Sequence, residues 1–417
     1  MIPILRLLEK YLNLFLVFLF PTQLALHFWP DFAFVFGIRV DYLSPAIYLT
    51  DLLFVILLVP WLVKERHNFL RDLGNSKKLL LLFLLILLAN LLITSAFWIS
   101  LIKWTKIIEM ILVAYYVNKR KDIFTVSKVS TILFCSLLFF SIIGILQFFL
   151  GRTLGGIFYW LGERTFSIFT PGIASVNLFG KNFLRIYSTF PHPNALAGFI
   201  GLTAIFLIFN RFISNKVLMA FGYLLISVVF ILAFSMSAYI AFFICIILYF
   251  VFKLKIFNQK ALTLFIVLMS LLSFYLTIFS KPLLQSGINF SKSFRERLVL
   301  ANISGEMISE NWVVGAGLNT FIIKETVYGN LENSVWLLQP VHNIYLLVLT
   351  EVGLSGIILL SLVLYRFLKN CIKSKNIWGV LSIIFILTTG LFDHYWFTIQ
   401  QNMLLISLLL GLSLREK

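Results

Sequence analysis

The sequence predicts an all-α integral membrane protein with about twelve transmembrane helices, and three observations carry that prediction. The chain of 417 residues is 60% hydrophobic and only 12% charged, with a mean hydropathy of +0.99. A soluble domain of this length would need far more polar surface. Apolar stretches long enough to cross a hydrocarbon core, about 20 residues, recur along the whole chain. Finally, the net charge of +17 is gathered in short segments between those stretches, such as KERHNFLRDLGNSKK (64–78) and NKRKD (118–122), while the long loops are near neutral. That is the positive-inside pattern, so the basic excess marks the cytoplasmic side of a bilayer rather than a nucleic-acid surface.

Spans are expected to begin near residues 12, 43, 79, 100, 129, 194, 217, 238, 261, 342, 376 and 396 of a single polytopic domain, 1–417. The first, an apolar run from Leu12 to Trp29 preceded by Arg6 and Lys10, reads as a signal anchor, because it lacks a small-residue cleavage site. With both termini cytoplasmic, residues 151–193 form a first long extracytoplasmic loop, 194–280 hold spans six to nine, 281–341 form a second, larger loop, and 342–417 carry the C-terminal spans. Within the larger loop, Phe294, Leu298, Ala301, Gly305, Ile308 and Trp312 recur at helical spacing, which predicts an amphipathic helix against the membrane surface or the bundle. Cys135, Cys245 and Cys371 are widely separated, so neither a disulfide framework nor a thiolate metal site follows from them.

Polar chemistry should sit in the two long outer loops, since the inner ones are too short to build a site. In PVHNIYLLVLTEVGLSG (340–356), His342 follows Pro340 and enters the first turn of a span. A helix N-terminus disfavours imidazolium and keeps the ring neutral, able to accept a proton. On a continuous helix Gly353 and Gly356 share its face and would admit close approach of another backbone. Glu351 would lie opposite as a buried structural partner. In RIYSTFPHPNALAGF (185–199), Arg185 can grip a phosphate bidentately, and Pro191 and Pro193 turn the chain into the next span past His192 and Asn194. A third stretch, SFRERLVLANISGEMISENWVVGAGLNTF (293–321), offers Arg295 and Arg297, then a Gly-x-Gly turn at Gly315 and Gly317. For each of these a bland alternative exists: a structural histidine, a snorkelling arginine, or glycines that only let helices pack.

These three stretches resemble the O-antigen ligase and O-antigen polymerase superfamily, which includes bacterial protein O-oligosaccharyltransferases. HNIYLLVLTEVGLSG is similar to its His-Asn-x9-Gly-x-x-Gly motif at His342, Asn343, Gly353 and Gly356. The Arg185 stretch resembles an Arg-containing turn ending in Pro-Asn, and the Arg297 stretch resembles the Arg-to-Gly-x-Gly part of the family's large loop. The resemblance covers roughly residues 185 to 360. It implies a GT-C-like membrane glycosyltransferase whose donor is a glycan on undecaprenyl diphosphate, working without nucleotide sugar, metal or other cofactor on the outer face of the bacterial cytoplasmic membrane. It also implies that Arg185 and Arg297 hold the donor diphosphate and that His342 is the general base. The acceptor would be a hydroxyl of a glycan, glycolipid or protein. One departure stands out: in SMSAYIA (235–241), Ala238 occupies a position where the family often has arginine.

Other residues could share the work, namely Arg295 beside Arg297, His192 and Asn194 at their turn, and Asp393 and His394 in FDHYW before the final span. The competing class is a lipid-linked glycan flippase, in which outward arginines bind a diphosphate and nothing reacts. Lys103, Lys106 and Glu109 could line its path, although their spacing of three also suits a mutually paired helix face.

Overall fold

A computed structural model of the chain describes residues 2–210, 212–253, 278, 280–285, 292–329 and 337–415. Helices dominate. The first, α1 (Ile2–Phe18), is followed by α2 (Leu49–Lys64), α3 (Arg66–Asn75), α4 (Lys77–Ile93), α5 (Phe97–Lys119), α6 (Val126–Leu150), α7 (Pro193–Ile208), α8 (Lys216–Leu232) and α9 (Met236–Lys253). After the larger loop's α10 (Lys292–Asn311) and α11 (Phe321–Tyr328) come α12 (Ile344–Lys373), α13 (Ile377–Gly390), the single turn α14 (Tyr395–Thr398) and α15 (Gln400–Ser413).

A helix lies on each expected span except the one near residue 261, which falls outside the described residues. By length and composition the described helices do not reach the twelve or so full spans expected. Among the described residues, α6 and α12 are long and apolar enough to cross a membrane by themselves, and α3 with α4 would make a third if that pair, bent by 84°, is one span. The apolar helices α7, α8, α9 and α13 are shorter, a mismatch that bilayers accommodate by thinning or by snorkelling of flanking residues. Large apolar side chains stand exposed along α2 (Val55, Ile56, Val59), α4 (Leu81, Leu85, Leu88, Leu92) and α8 (Phe221, Leu224, Ile231). Faces of this kind need a non-aqueous neighbour, which a bilayer supplies. By contrast α7 is buried along nearly its whole length, from Pro193 to Leu207. It is the central post of the bundle, packed against α6, α8, α9, α13 and α15.

The loops are not all coil, which corrects the all-α expectation. Three short antiparallel pairs occur: β1 (Ala25–His27) with β4 (Ala46–Tyr48), β2 (Phe34–Val35) with β3 (Ile38–Arg39), and β5 (Ser175–Leu178) with β6 (Lys181–Leu184). The first pair occupies residues expected to be membrane-spanning, since α1 stops at Phe18, well short of Trp29, and β4 lies where the second span was expected to begin, while β2 and β3 fall in the loop between the two. HFWPDFAFVF (27–36) is rich in aromatic residues, and aromatic side chains gather at the membrane–water interface.

Helix α10 does show a buried face, formed by Leu298, Leu300, Ala301, Ile303, Ser304, Met307 and Ile308, and it packs on α12. Phe294 and Trp312, at its two ends, are exposed. Deeper in the bundle Lys106 is ion-paired with Asp51 of α2 and lies 3.1 Å from Glu109. Asp51 also accepts from the Tyr48 amide at 2.9 Å and from Gln400, so Lys106 and Asp51 are paired within this cluster, while Glu109 Oε1 has no partner among the described residues.

Candidate functional site

One end of the bundle gathers the chemistry-bearing residues. The β5–β6 hairpin delivers Arg185 to the turn that precedes α7, where its Nε donates to the Ala233 carbonyl at 2.9 Å and its Nη2 to Asn194 Oδ1 at 2.7 Å. Asn194 then reaches across the site, its Nδ2 donating to Asp393 Oδ2 at 2.9 Å. One carboxamide thus connects a guanidinium and a carboxylate that are about 200 residues apart in sequence. Pro193 starts α7 with the fixed φ suited to a first turn, and His192 caps it, its Nδ1 accepting from the Asn194 amide at 3.1 Å.

Asp393 is buried, its second oxygen taken by the His394 amide at 2.8 Å. Burial pushes its carboxyl up, but His342, His394, His192 and the Asn194 hydrogen bond outweigh that and hold it below the usual carboxylate range. The His394 Nδ1 lies 2.7 Å from the Thr398 hydroxyl, which itself donates to the His394 carbonyl at 3.1 Å. With the hydroxyl proton so committed, the ring must donate from Nδ1 and keeps Nε2 as its free acceptor.

His342 meets His394 edge to face, ring centroids 5.2 Å apart. It does not enter the helix: Asn343 is the N-cap of α12, its Oδ1 accepting from the Leu346 amide at 3.1 Å and its Nδ2 donating to the Leu391 carbonyl at 3.1 Å. That places His342 one residue before the N-cap, outside the expected first turn. Burial lowers its basicity, opposed by Asp393 and reinforced by Arg297. Its Nδ1 is buried without a hydrogen bond of good geometry among the described residues, while the Pro340 carbonyl lies close enough to favour a proton on the ring. Nε2 is then the nitrogen left to accept a proton.

Arg297 on α10 is half-buried whereas Arg295, on the same helix, is exposed. Arg297 Nε is buried without a partner among the described residues, and its charge is felt at His342, His192 and Arg185. Burial, with Arg297 adding to it, pulls Arg185 below the usual guanidinium range. Two cations held in mutual reach, with unused donors, are poised for an anion.

A second assembly connects α10 to α12, and it corrects the continuous helix expected from His342 to Gly356. At Gly353 the backbone takes φ 73° and ψ −168°, and α12 breaks there. The break frees the carbonyls of Thr350 and Glu351 and the amides of Leu354 and Ser355, which would otherwise bond to one another along the helix. All four are taken by the segment after α10: the Ala316 amide donates to Thr350 at 2.8 Å and Gly317 to Glu351 at 3.0 Å, while Leu354 donates to Trp312 at 2.8 Å and Ser355 to Val313 at 3.1 Å. Gly353 therefore faces a loop backbone, at Val313, rather than another helix, and Gly356 faces Val352 and Val348 of its own helix. Asn90, fully buried on α4, braces the junction with all its bonding capacity. Its Nδ2 donates to Val314 O at 3.0 Å and Glu351 O at 2.8 Å, and its Oδ1 accepts from Trp104 Nε1 and the Leu318 amide, both at 3.0 Å. Glu351 accepts from the Phe321 amide at 3.3 Å, so its carboxylate belongs to this junction.

Sequence reasoning missed Asn90, although a lone amide in LLLLFLLILLANLLI is the kind of residue that an apolar helix tolerates only with partners. It also missed Tyr42, whose ring packs edge to face on His394 at 5.5 Å. The search of curated proteins finds no match for this chain. Residues 221–361, a segment holding Arg297, His342, Asn343 and the glycine junction, match the family model described as O-antigen ligase.

Proposed function

We propose that the protein is a membrane glycosyltransferase that moves a glycan from undecaprenyl diphosphate to an acceptor hydroxyl at the outer face of the bacterial cytoplasmic membrane, as an O-antigen ligase or polymerase does, in the synthesis of a cell-surface polysaccharide. The observation that carries this reading is that Arg185, bonded through Asn194 to Asp393, and Arg297, from a different loop, both act on His192, while Arg297 also acts on His342. In the proposed step the acceptor oxygen attacks the anomeric carbon, the bond from that carbon to the phosphate oxygen breaks, and the acceptor proton passes to His342 Nε2. Undecaprenyl diphosphate departs with its added charge balanced by the arginines. A single displacement inverts the anomeric configuration. Arginine neutralisation makes the step independent of metal and of any cofactor.

The positive-inside pattern supports about twelve crossings with both termini cytoplasmic and the two long loops outside. Asn343, Gly353 and Gly356 serve by fixing the segment that bears His342. The flippase reading is weaker because Lys106 and Glu109 are closed into the Asp51 cluster instead of lining an open path. The deciding experiment supplies purified protein in liposomes with a lipid-linked glycan and candidate glycan, glycolipid and peptide acceptors. A transferase consumes the donor and yields a glycosylated acceptor, and donor that crosses the bilayer unconsumed would replace this reading with the flippase.

A further inference from the structure

Lys103 and Lys106 lie one turn apart on α5, near its outer end, and the protein treats them differently. Lys106 has Asp51 and Glu109 in contact. Lys103 has no carboxylate within ion-pair distance among the described residues; its ammonium lies 4.0 Å from the Met403 sulfur and 5.5 Å above the Phe397 ring. The carboxylate whose charge it feels is Glu351, which the Phe321 amide occupies. A cation placed among apolar helices without a counter-ion is costly, and cation–π contact returns only part of that cost.

Its position relates it to the site. Phe397 belongs to the single turn that His394 begins, and the Lys103 charge is felt at His394. On the same ring packs Tyr42, half-buried, whose hydroxyl makes no hydrogen bond among the described residues and whose carbonyl is held by Asn319 Nδ2 at 2.9 Å. Arg185 and Arg297 act on His192, while Arg297 acts on His342; Lys103 acts from the His394 side.

We propose that Lys103 and Tyr42, beside His394, form a subsite for an anionic group, a phosphate or a carboxylate, carried by the acceptor. The inference rests on the transferase reading above. In a displacement the nucleophile approaches the anomeric carbon opposite the leaving diphosphate, so a cation across the histidine pair from the arginine clamp faces the acceptor. Lys103 would hold the anion as a point charge and the Tyr42 hydroxyl would donate to it. Neither takes part in a bond change.

The test uses full-length protein in nanodiscs, saturated with undecaprenyl diphosphate to fill the arginine clamp, and titrated with glucose, glucose 6-phosphate and glucuronate. The expected result is that at least one anionic sugar binds and glucose does not. Lys103→Met should weaken that binding about tenfold or more, the loss of one charge-assisted contact. Lys103→Arg should keep most of it and Arg295→Ala, at an exposed position, all of it. Lys103→Gln repeats the comparison should the Met variant fail to insert. Equal binding of glucose and the anionic sugars, no binding of any, or unchanged binding in Lys103→Met would overturn the subsite, as would competition between the sugar and undecaprenyl diphosphate. Failure of the transferase reading shows separately, as lipid-linked donor that crosses a liposome bilayer unconsumed.

Discussion

Gly315 and Gly353 are each other's clearance: a Cβ on the first would strike the Glu351–Val352 peptide, and one on the second the Val313–Val314 peptide. Both hold positive φ, 78° and 73°, so a side chain would meet backbone strain as well as a clash. This contact registers α10, which bears Arg297, against α12, which follows His342.

Gly353→Ala and Gly315→Ala should each destabilise the protein by roughly 2–5 kcal/mol, combining about 1–2 for the left-handed residue with about 1–3 for overpacking. Activity should fall with stability. Gly356→Ala should cost less, since its Cβ would meet only the side chains of Val352 and Val348, which can shift. Thermal unfolding in detergent ranks the three, and a Gly356 variant as damaged as the other two would refute the junction.

For the arginines, replacing either Arg185 or Arg297 with Ala should reduce turnover by about one to two orders of magnitude or more, from the roughly 1.5–3 kcal/mol of a charge-assisted contact. Arg295→Ala, at an exposed position, should be near normal. The two losses should differ in kind. Arg185 also holds Ala233 and Asn194, so its removal should lower the unfolding midpoint, whereas Arg297→Ala should weaken undecaprenyl diphosphate binding with little change in stability. Binding unchanged in both variants would remove the clamp.

The topology can be checked on a cysteine-free background. Cysteines at Asn182, exposed in the β5–β6 hairpin, and at Asn75, exposed at the end of α3, lie on opposite sides if basic segments are cytoplasmic. An impermeant thiol reagent should label the first in intact spheroplasts and leave the second untouched. Labelling at position 75 without permeabilisation would invert the protein and move the site inside.

The helices were legible because apolar runs are local, whereas their ends and cross-links were not. Residues 25–29 carry the same hydropathy whether they end a span or form a strand at the membrane surface, so only the pairing of β1 with β4 separates the two. The Gly-x-Gly turn and the Gly353 motif could each be seen in sequence, but their backbone exchange joins residues nearly forty apart and has no periodic signal. Asn194 stood out as part of a turn, yet nothing local says that its amide meets Asp393. Arg295 and Arg297 look alike in sequence, and only the buried face of α10 separates their surroundings.

Glu325 in α11 is fully buried and neither carboxyl oxygen has a hydrogen bond among the described residues. Burial pushes its pKa up to about 10, with the Gln339 amide pulling the other way. A carboxyl raised in the folded state binds its proton more tightly there than in the unfolded chain. Stability is therefore greatest below the ordinary carboxylate pKa and declines as pH rises towards the folded value. Glu325→Met should stabilise the protein at pH 8, by on the order of 1–3 kcal/mol, raising the unfolding midpoint and flattening its decline between pH 6 and 9. A Met variant with the wild-type slope would show that Glu325 ionises freely.

His342 is distinguished from its rivals by which nitrogen is free. His192 spends Nδ1 on the Asn194 amide, and His394, though its Nε2 is open, is 4% exposed and backs against Tyr42. His342 is half-buried and has the carboxylate of Asp393 near enough to steady the imidazolium it would become. His342→Ala should therefore cost about 10²- to 10⁴-fold in turnover while leaving undecaprenyl diphosphate binding intact. In the wild type, activity requires the neutral ring. Because burial, the leading influence, lowers its pKa from 6.5, the acid limb should have its midpoint below pH 6.5, with a plateau above it. Asp393→Asn would remove the charge that opposes that shift, so the limb should move further to acid while the rate on the plateau drops. If His342→Ala kept near-normal turnover at saturating donor and retained the limb, the proton would be going to His394, and Thr398→Val, which frees its Nδ1, would then be the variant that shifts the profile.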